Sequence, residues 1–427
     1  MNEKKTIVLV DAVGGPHPSF YAPLLPEKYD FKIIILQPKN QTALRLRRAA
    51  LESRFSVIEV SEKYRLKEVV REVSQECGAS GILAFSERVV HDVSEVALEL
   101  GLPANQRATQ NALTDKYAQR EMLEKAGVAT PRLYRIKNKS DLVAAASYVN
   151  FPAVLKPQVG MGSLSVYRIE NIDELTRSYD EAVGLYVEDE RVSCDPIFLL
   201  EQAFIGEKWN ADKRLGDYAS VETIVNEDVL LHIGVTDKFP LVYPYRETGH
   251  IFPSQLSVKR IDQLVHEAEQ GIKALGITNG VVHTEIKFTE SGPRIIEING
   301  RIGGSVCEML YYSSDYNVIE QLCHVAVGES PTQAPSAPRQ YSALYRVQPP
   351  TKKIKITKTP LKENLLKIDG VKNAEIVFQV GSEADWRVGS ASNLVRIFSC
   401  AENSESLIRF CTNFDSSCGI EFEEIGE

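Results

Sequence analysis

Two acidic side chains and an amide are spaced so that one face of a β-hairpin could bind a metal ion. Apolar and polar residues alternate at 281–288 and 293–299, and the TESG turn between them predicts two paired strands. In such alternation Glu297 and Asn299 share a face, and Glu285 lies on the partner strand. Carboxylate and amide oxygens are ligands that Mg²⁺ prefers, with phosphate oxygens completing its shell. The pattern therefore predicts a metal–phosphate site.

The alternative is an exposed hairpin whose acids are simply solvated. Glu297 argues against it, because this residue lies within the apolar run IIEIN, where an unpaired buried carboxylate would be costly. Arg301 and a Gly-Gly-Ser turn follow shortly afterwards. A guanidinium and closely approaching backbone N–H groups beside a metal ion suit phosphoryl transfer.

The composition is that of an ordinary globular protein. The 427 residues are enough for two to four domains, and 43% hydrophobic and 25% charged residues are typical values. A net charge of −9 argues against a nucleic-acid binder, and no segment is apolar over the length of a membrane span. The N-terminal apolar run is too short for a signal peptide, so we expect a cytoplasmic protein.

The cysteines support a reducing compartment. They are scattered and lack CxxC spacing, which argues against a disulfide framework or a zinc knuckle. The seven are Cys77, Cys194, Cys307, Cys323, Cys400, Cys411 and Cys418.

Residues 1 to about 110 alternate predicted strands and helices, which indicates a parallel, Rossmann-like α/β domain. The glycines after the first strand do not form a GxGxxG sequence, so no dinucleotide site is expected there. Ser86 and Glu87 follow the strand GILAF and precede a helix. Two explanations fit them equally well: a ligand contact at the carboxyl end of a strand, or a helix N-cap with a first-turn acid.

A second α/β unit extends to about residue 205. A capped helix follows Thr114 and ends at Gly127, and Lys156 then ends the strand AVLK. A glycine-rich turn at 160–163 leads into a predicted strand, LSVYRI. Such a turn lets backbone N–H groups approach phosphates, although a plain hairpin turn explains Gly-x-Gly alone more simply.

Further strands, a helix at 257–275 and the hairpin complete the central part of the chain. His250 lies in a predicted loop with Gly before it and Pro after it, where capping of backbone is a somewhat better explanation than binding of substrate. A Pro/Ser-rich linker at 330–339 precedes a small, β-rich C-terminal domain.

The order of these features resembles the ATP-grasp superfamily, and specifically its carboxylate–amine ligases. From the N-terminus the features are Lys116, Lys156, the turn at 160–163, LLEQAF at 199–204, Glu285, Glu297 with Asn299, and Arg301. The segments VVHTEIKFTESGPRIIEINGRIGGS and ETGHIFPSQLS are most similar to the L-amino acid (dipeptide) ligases. The resemblance covers roughly residues 110–310.

The resemblance implies a fold of α/β and α+β parts in three domains. A pre-ATP-grasp α/β domain, Rossmann-like, would span 1–112. A two-lobed ATP-grasp domain would span 113–335, with a lid lobe at about 130–205. A β-rich α+β domain would occupy 336–427.

The resemblance also implies roles for individual residues. ATP would be bound at its phosphates by Lys116 and Lys156, under a mobile lid of Gly160, Gly162 and Ser163, and at its adenine by Glu201, Gln202, Ala203 and Phe204. Glu285, Glu297 and Asn299 would hold two Mg²⁺ ions, for which Mn²⁺ could substitute. Arg301 and Gly304 would stabilise the reacting groups, and Ser86, Glu87, Arg246, Glu247, His250 and Arg301 would bind substrate. Lys208 stands where the family has a ribose-binding acid, so either Glu207 serves through a one-residue shift or the ribose is held differently.

The implied reaction joins two L-amino acids through an acylphosphate and releases ADP and phosphate. A purine-pathway, D-alanine-type or amino-acid–polyamine ligase would use the same fold, and a non-catalytic ATP-binding protein is the alternative from another class. The complete set of Glu285, Glu297, Asn299 and Arg301 argues against the non-catalytic alternative. The expected partners are amino acids and ATP, not nucleic acid or membrane, and a homodimer is expected by analogy with family members that are dimers.

Overall fold

The N-terminal residues form a parallel sheet with helices on both faces. The computed structural model describes residues 4–189 and 195–426. The first strands are β1 (Thr6–Asp11), β2 (Asp30–Leu36), β3 (Val57–Val60) and β4 (Gly81–Ala84), paired in the order β3-β2-β1-β4. The helices are α1 (Pro18–Tyr21), α2 (Gln41–Glu52), α3 (Leu66–Glu76), α4 (Glu87–Glu99) and α5 (Arg107–Ala112). Alternate residues of β1 pack into two separate apolar cores: Leu9 lies in one core and Val8 lies in the other. This is because both faces of the sheet are covered. The predicted α/β domain is confirmed.

A small antiparallel sheet follows. After α6 (Lys116–Lys125) come β5 (Leu133–Ile136), α7 (Leu142–Val149), β6 (Ala153–Pro157), β7 (Tyr167–Ile169), α8 (Ile172–Glu188) and β8 (Phe198–Gln202). The strand order is β5-β8-β6-β7, and α7 and α8 share one apolar core with the sheet. We call this unit the small lobe.

Two local details, one in the small lobe and one in the helix α6 before it, differ from expectation. The predicted strand LSVYRI is reduced to Tyr167–Ile169, because Ser163 and Ser165 have φ angles of 57° and 54°. Left-handed backbone cannot continue an extended strand. The cap of α6 is Asp115, whose side chain accepts hydrogen bonds from two backbone N–H groups of the first turn.

The largest sheet has eight strands and crosses the predicted boundary between the central and C-terminal domains. Its central elements are β9 (Tyr218–Asn226), β10 (Val229–Lys238), β11 (Gly249–Phe252), α9 (Val258–Ala274), β12 (Asn279–Thr289), β13 (Gly292–Asn299), α10 (Val306–Ser314) and α11 (Val318–Ala326). Its C-terminal strands are β14 (Tyr341–Val347), β16 (Val371–Ile376) and β18 (Val395–Ala401). The order is β13-β12-β9-β10-β11-β14-β18-β16, so C-terminal strands extend the same sheet that carries the hairpin. The domain boundaries themselves stay a prediction.

The remaining C-terminal elements are small. They are β15 (Ile354–Lys358), α12 (Lys362–Leu365), β17 (Glu383–Ala384), α13 (Ser404–Phe414) and β19 (Glu421–Glu424), with β17-β15-β19 forming a separate sheet. Cys194 lies outside the described residues, and the other six cysteines are free thiols. Within 4–189 and 195–426, no helix is long and apolar enough to cross a membrane.

Candidate active site

The hairpin of β12 and β13 places the predicted metal ligands side by side. In its register Glu285 pairs with Glu297, and His283 pairs with Asn299. Directly opposed residues of an antiparallel pair point to the same face, so these four side chains lie together. A β-bulge begins just beyond Glu285 and bends the strand at this point. The predicted hairpin is confirmed.

These donors fit a metal ion that is shared with phosphate. The side chains of Glu285 and Glu297 are about a quarter exposed, at 23% and 26%. Among the described residues, no three His, Cys, Asp or Glu side chains cluster closely enough to hold an ion. Two carboxylates and the amide of Asn299 are too few for an all-protein cage. They do suit Mg²⁺, which keeps water and phosphate oxygens in its shell.

A buried carboxylate behind the hairpin contacts both a histidine and the glycine turn. Glu222 of β9 is fully buried, and its Oε1 lies 2.5 Å from Nδ1 of His283. Nε2 of His283 lies 3.2 Å from Oε1 of Glu285. The second oxygen of Glu222 accepts a 3.0 Å hydrogen bond from the N–H of Gly303. Glu222 thus orients His283, and His283 orients Glu285, as carboxylate–histidine pairs do beside metal sites.

Two cations, of which only Lys156 was predicted to contact the nucleotide, share one carboxylate. Nζ of Lys156 lies 2.6 Å from Oε2 of Glu201, and Nε of Arg120 lies 3.0 Å from Oε1. Burial alone would raise the pKa of Glu201, but the charges of Arg120 and Lys156 outweigh it and lower this pKa to about 2. Both oxygens of Glu201 are therefore occupied by cations. Its predicted hydrogen bond to adenine stays a prediction.

One cavity of about 250 Å³ connects these groups. It lies between the small lobe and the large sheet. The predicted residues that line it are Lys116, Lys156, Gly160, Gly162, Ser163, Glu201, Gln202, Phe204, Glu247, Glu285, Glu297, Asn299 and Arg301. Lining residues that sequence analysis missed include Arg120, Tyr218, Tyr245 and Lys287. Of these, Lys287 could have been found, because it shares the face of Glu285 in the alternating pattern.

The remaining predicted residues do not line this cavity. They are Ser86, Glu87, Ala203, Glu207, Lys208, Arg246, His250 and Gly304. Glu207 and Lys208 are exposed, and Nζ of Lys208 donates to the carbonyl of Leu215 at 2.6 Å. The N–H of Glu207 donates to the carbonyl of Phe288, and neither Glu207 nor Lys208 lines the cavity. A one-residue shift from Lys208 to Glu207 therefore gains no support from this conformation.

Arg301 is oriented by the N-terminal domain. Its Nε lies 2.5 Å from Oε2 of Glu87, and both side chains are about four-fifths buried. Ser86 caps α4 by accepting from the N–H of Arg88, and its hydroxyl donates to the carbonyl of Val13. Ser86 thus fits the capping explanation, whereas Glu87 reaches the candidate site through Arg301.

His250 lies on a strand, which corrects the loop that we predicted from its Gly and Pro neighbours. It is buried in β11, where it pairs with Lys238 of β10 and with Leu344 of β14. Its Nε2 lies 3.4 Å from Nη1 of Arg346, and Nδ1 has no hydrogen-bond partner among the described atoms. Because a guanidinium only donates, Nε2 accepts and Nδ1 carries the proton.

Glu247 faces the cavity and is held by cations. Nη1 of Arg346 lies 3.2 Å from Oε2 of Glu247, and Nζ of Lys238 lies 3.7 Å from Oε1. Arg246, which we expected to bind substrate, is buried elsewhere and donates to the carbonyls of Tyr243 and Pro349. Arg246 and Glu247 are adjacent in the loop between β10 and β11 but have different roles. Arg246 stabilises the loop, whereas Glu247 faces the cavity.

Comparison with known proteins identifies the domain that carries this geometry and the proteins that the chain resembles. Residues 149–309 match the model of the ATP-grasp domain. Alanine–anticapsin ligase of Bacillus subtilis strain 168 is 28% identical over 336 residues, covering 71% of this chain and 70% of the ligase. The L-arginine-specific L-amino acid ligase of Bacillus subtilis is 21% identical over 356 residues, 83% of each protein. The crystal structure of an L-amino acid ligase from Bacillus licheniformis shares the fold, with a TM-score of 0.80, 19% identity and 100% coverage of both chains.

The chain therefore contains an ATP-grasp domain, and the proteins to which it is homologous are ligases. It is homologous to alanine–anticapsin ligase and to L-amino acid ligases, as the resemblance predicted. The parallel N-terminal sheet and the antiparallel sheets together form the expected mixed fold.

Replacing Glu201 with Gln should destabilise the protein strongly. The substitution leaves Lys156 and Arg120 buried without a counter-charge, which typically costs about 3–5 kcal/mol. The free energy of unfolding from urea denaturation measures this cost. Glu405→Gln is the matched control, because Glu405 forms an exposed ion pair with Arg409 and should change little. Equal effects of the two substitutions would contradict the pairing.

His250 should make the protein less stable in mild acid. Burial, followed by the charges of Lys238 and Arg346, holds the pKa of His250 well below its usual range. The unfolded ring binds a proton below about pH 6.5, so stability from neutral His250 is present above that pH and is lost as pH falls. Between about pH 7.5 and 5.5, the free energy of unfolding should therefore fall less in His250→Gln than in the wild type. His266→Gln, at an exposed position of α9, should keep the wild-type dependence, and equal slopes in all three proteins would refute the assignment.

Proposed function

We propose that this enzyme joins two L-amino acids into a dipeptide and uses ATP to activate the carboxylate of one of them. The observation that carries the proposal is the set of residues that line one cavity. Candidate metal donors, two lysines that would contact phosphates, and Arg301 and Glu247, whose charges suit the two termini of an amino acid, all line it. Relatives named for ligating alanine with anticapsin, and for L-arginine, support amino acids as substrates.

The nucleotide would lie between the small lobe and the large sheet, with its phosphates near Lys116 and Lys156. Nζ of Lys116 donates to the carbonyl of Gly160 at 2.9 Å and lies 3.0 Å from Oε1 of Glu297. Lys116 therefore stands between the glycine-rich turn and the candidate metal ligands. Backbone N–H groups of the turn would cover the phosphates. Phe204 and Gln202 line the cavity at the expected adenine end, next to Ala203.

Glu285, Glu297 and Asn299 would hold Mg²⁺, in our proposal two ions, with Mn²⁺ able to substitute. When bound, these ions would offset the negative charge of the phosphates and of the approaching carboxylate. Glu222 and His283 keep Glu285 in a fixed direction, so little reorganisation is needed on binding.

Arg301 would stabilise the transferring phosphoryl group or the developing oxyanion, assisted by backbone near Gly304. The contact with Glu87 fixes the direction of the guanidinium before substrate arrives. A pre-oriented donor of this kind is typically worth about 3–4 kcal/mol of transition-state stabilisation. Glu247, with His250 behind it, would bind a substrate ammonium or cationic side chain.

The reaction would proceed in two steps. A carboxylate oxygen of the first amino acid bonds to the γ-phosphorus of ATP while the bond to ADP breaks, which gives an acylphosphate. The amine of the second amino acid attacks the acyl carbon, a proton leaves the nitrogen, and phosphate departs. Enclosure by the glycine-rich turn would exclude water, which would otherwise hydrolyse the acylphosphate.

The proposal includes the three predicted domains at 1–112, 113–335 and 336–427, a cytoplasmic location and a homodimer. The Pro/Ser-rich stretch at 330–339 supports the second boundary, because it has no helix or strand. Small molecules are the proposed partners, since the net charge of −9 disfavours nucleic acid.

Phosphate release should depend on pairs of amino acids. We would measure phosphate from ATP and Mg²⁺ with each of the common L-amino acids, singly and in pairs, and identify dipeptides by mass. Glu297→Gln should abolish pair-dependent release, because it removes a charged metal ligand. Glu290→Gln, in the exposed turn of the same hairpin, is the matched control and should retain it.

Two results would contradict the dipeptide proposal. Phosphate release that ignores amino acids would indicate a different acceptor. Silence with every pair, while ATP still binds, would leave a ligase for other carboxylates and amines.

A further inference from the structure

A C-terminal segment contacts two loops that line the cavity. The segment comprises residues 386–393, largely of 3-10 conformation, and precedes β18. It contacts the glycine-rich turn at 160–163 and the loop at 239–248, which joins β10 to β11 and carries Glu247. The turn and Glu247 line the cavity, whereas residues 386–393, all of them described, do not. The segment therefore does not touch a ligand in the cavity directly, and these two loops connect it to the cavity.

The contact with the turn requires glycine at position 389. The N–H of Ser390 donates to the carbonyl of Gly162 at 2.9 Å. Gly389 has a φ of 80°, and a Cβ there would lie 2.5 Å from the carbonyl oxygen of Gly162 and 2.9 Å from that of Ser163. These separations are too short for a carbon–oxygen contact. Any side chain at 389 would therefore push the turn away from the segment.

The contact with the other loop is made by the side chain of the same serine. Oγ of Ser390 accepts a 2.9 Å hydrogen bond from the N–H of Glu247. Ser390 is buried, and its carbonyl accepts from Nδ2 of Asn393, which holds the segment in shape. Two other C-terminal residues hold Glu247: Arg346 contacts its carboxylate, and Gln348 donates to its carbonyl at 2.6 Å.

We propose that Gly389 and Ser390 are positioning residues that couple the glycine-rich turn to Glu247. Ser390 donates to one loop and accepts from the other, so the two move as one unit. The purpose that we give to this coupling rests on the proposed function. The turn would close over the phosphates only when Glu247 is placed to receive an amino acid. An acylphosphate formed without an amino acid in place would be hydrolysed when the turn reopens. The C-terminal segment thus joins the nucleotide end of the cavity to the substrate end.

Hydrogen exchange of the two loops tests the coupling without any turnover. Gly389→Ala should accelerate exchange of backbone amides in both 160–166 and 239–248. Ser390→Ala should do the same by roughly fivefold, the equivalent of one lost hydrogen bond. Gly381→Ala and Ser382→Ala are matched controls in the same C-terminal region. Gly381 also has a positive φ, 87°, but a Cβ there meets nothing within 4 Å, so its variant carries the backbone strain without the collision.

The ratio of phosphate to dipeptide tests the purpose of the coupling. It should stay near the wild-type value in both controls and rise several-fold in Gly389→Ala and Ser390→Ala, whereas a merely structural defect would lower both products together. Faster exchange confined to 160–166 in Gly389→Ala and to 239–248 in Ser390→Ala, or no difference from the controls, would overturn the coupling. A wild type that forms no dipeptide, with coupled exchange intact, would refute the proposed function and leave the coupling standing.

Discussion

The candidate site depends on side-chain alternation across one face of the eight-stranded sheet. Cross-strand pairing sets Glu297, Glu285 and Ser220 in one row, and Asn299, His283 and Glu222 in the next. A slip of one residue would turn every one of these side chains to the opposite face. The apolar face prevents it, because intervening strand residues such as Ile286 and Ile298 are buried with residues of α9. The strand register that buries the apolar side chains therefore also brings the candidate metal ligands together.

Charge compensation is the second constraint on the candidate site. Glu201, Glu222 and Glu87, in or near the cavity, are each paired with a basic group, so these three largely buried carboxylates are compensated without a ligand. The cations involved come from different parts of the chain: Arg120 from α6, Lys156 from the small lobe and Arg301 from the turn after β13. The net charge of the whole protein says little about such a site. Although the net charge is −9, basic groups are concentrated where phosphates are expected.

Residues with local sequence signals were predictable, and residues placed by long-range packing were not. Alternation in one hairpin was enough to pair Glu285 with Glu297, and glycine spacing was enough to locate the turn at 160–163. Arg120 looks like any helical arginine, and only the approach of α6 to β8 makes it a partner of Glu201. His250 has Gly and Pro neighbours typical of a loop, yet pairing with β10 and β14 makes its segment a strand. Arg346 and Ser390 lie outside residues 110–310, which carry the resemblance in sequence, and only long-range packing of the C-terminal elements brings them to Glu247.

The central claim is that this cavity activates a carboxylate by phosphorylation. It is tested most directly with an amino acid labelled with ¹⁸O in its carboxylate, supplied with ATP, Mg²⁺ and the second amino acid. Mass analysis of the released phosphate follows the label. The account predicts that one ¹⁸O atom passes to phosphate for each dipeptide formed, because the oxygen that bonds to phosphorus leaves with it. Unlabelled phosphate accompanying dipeptide formation would contradict the account.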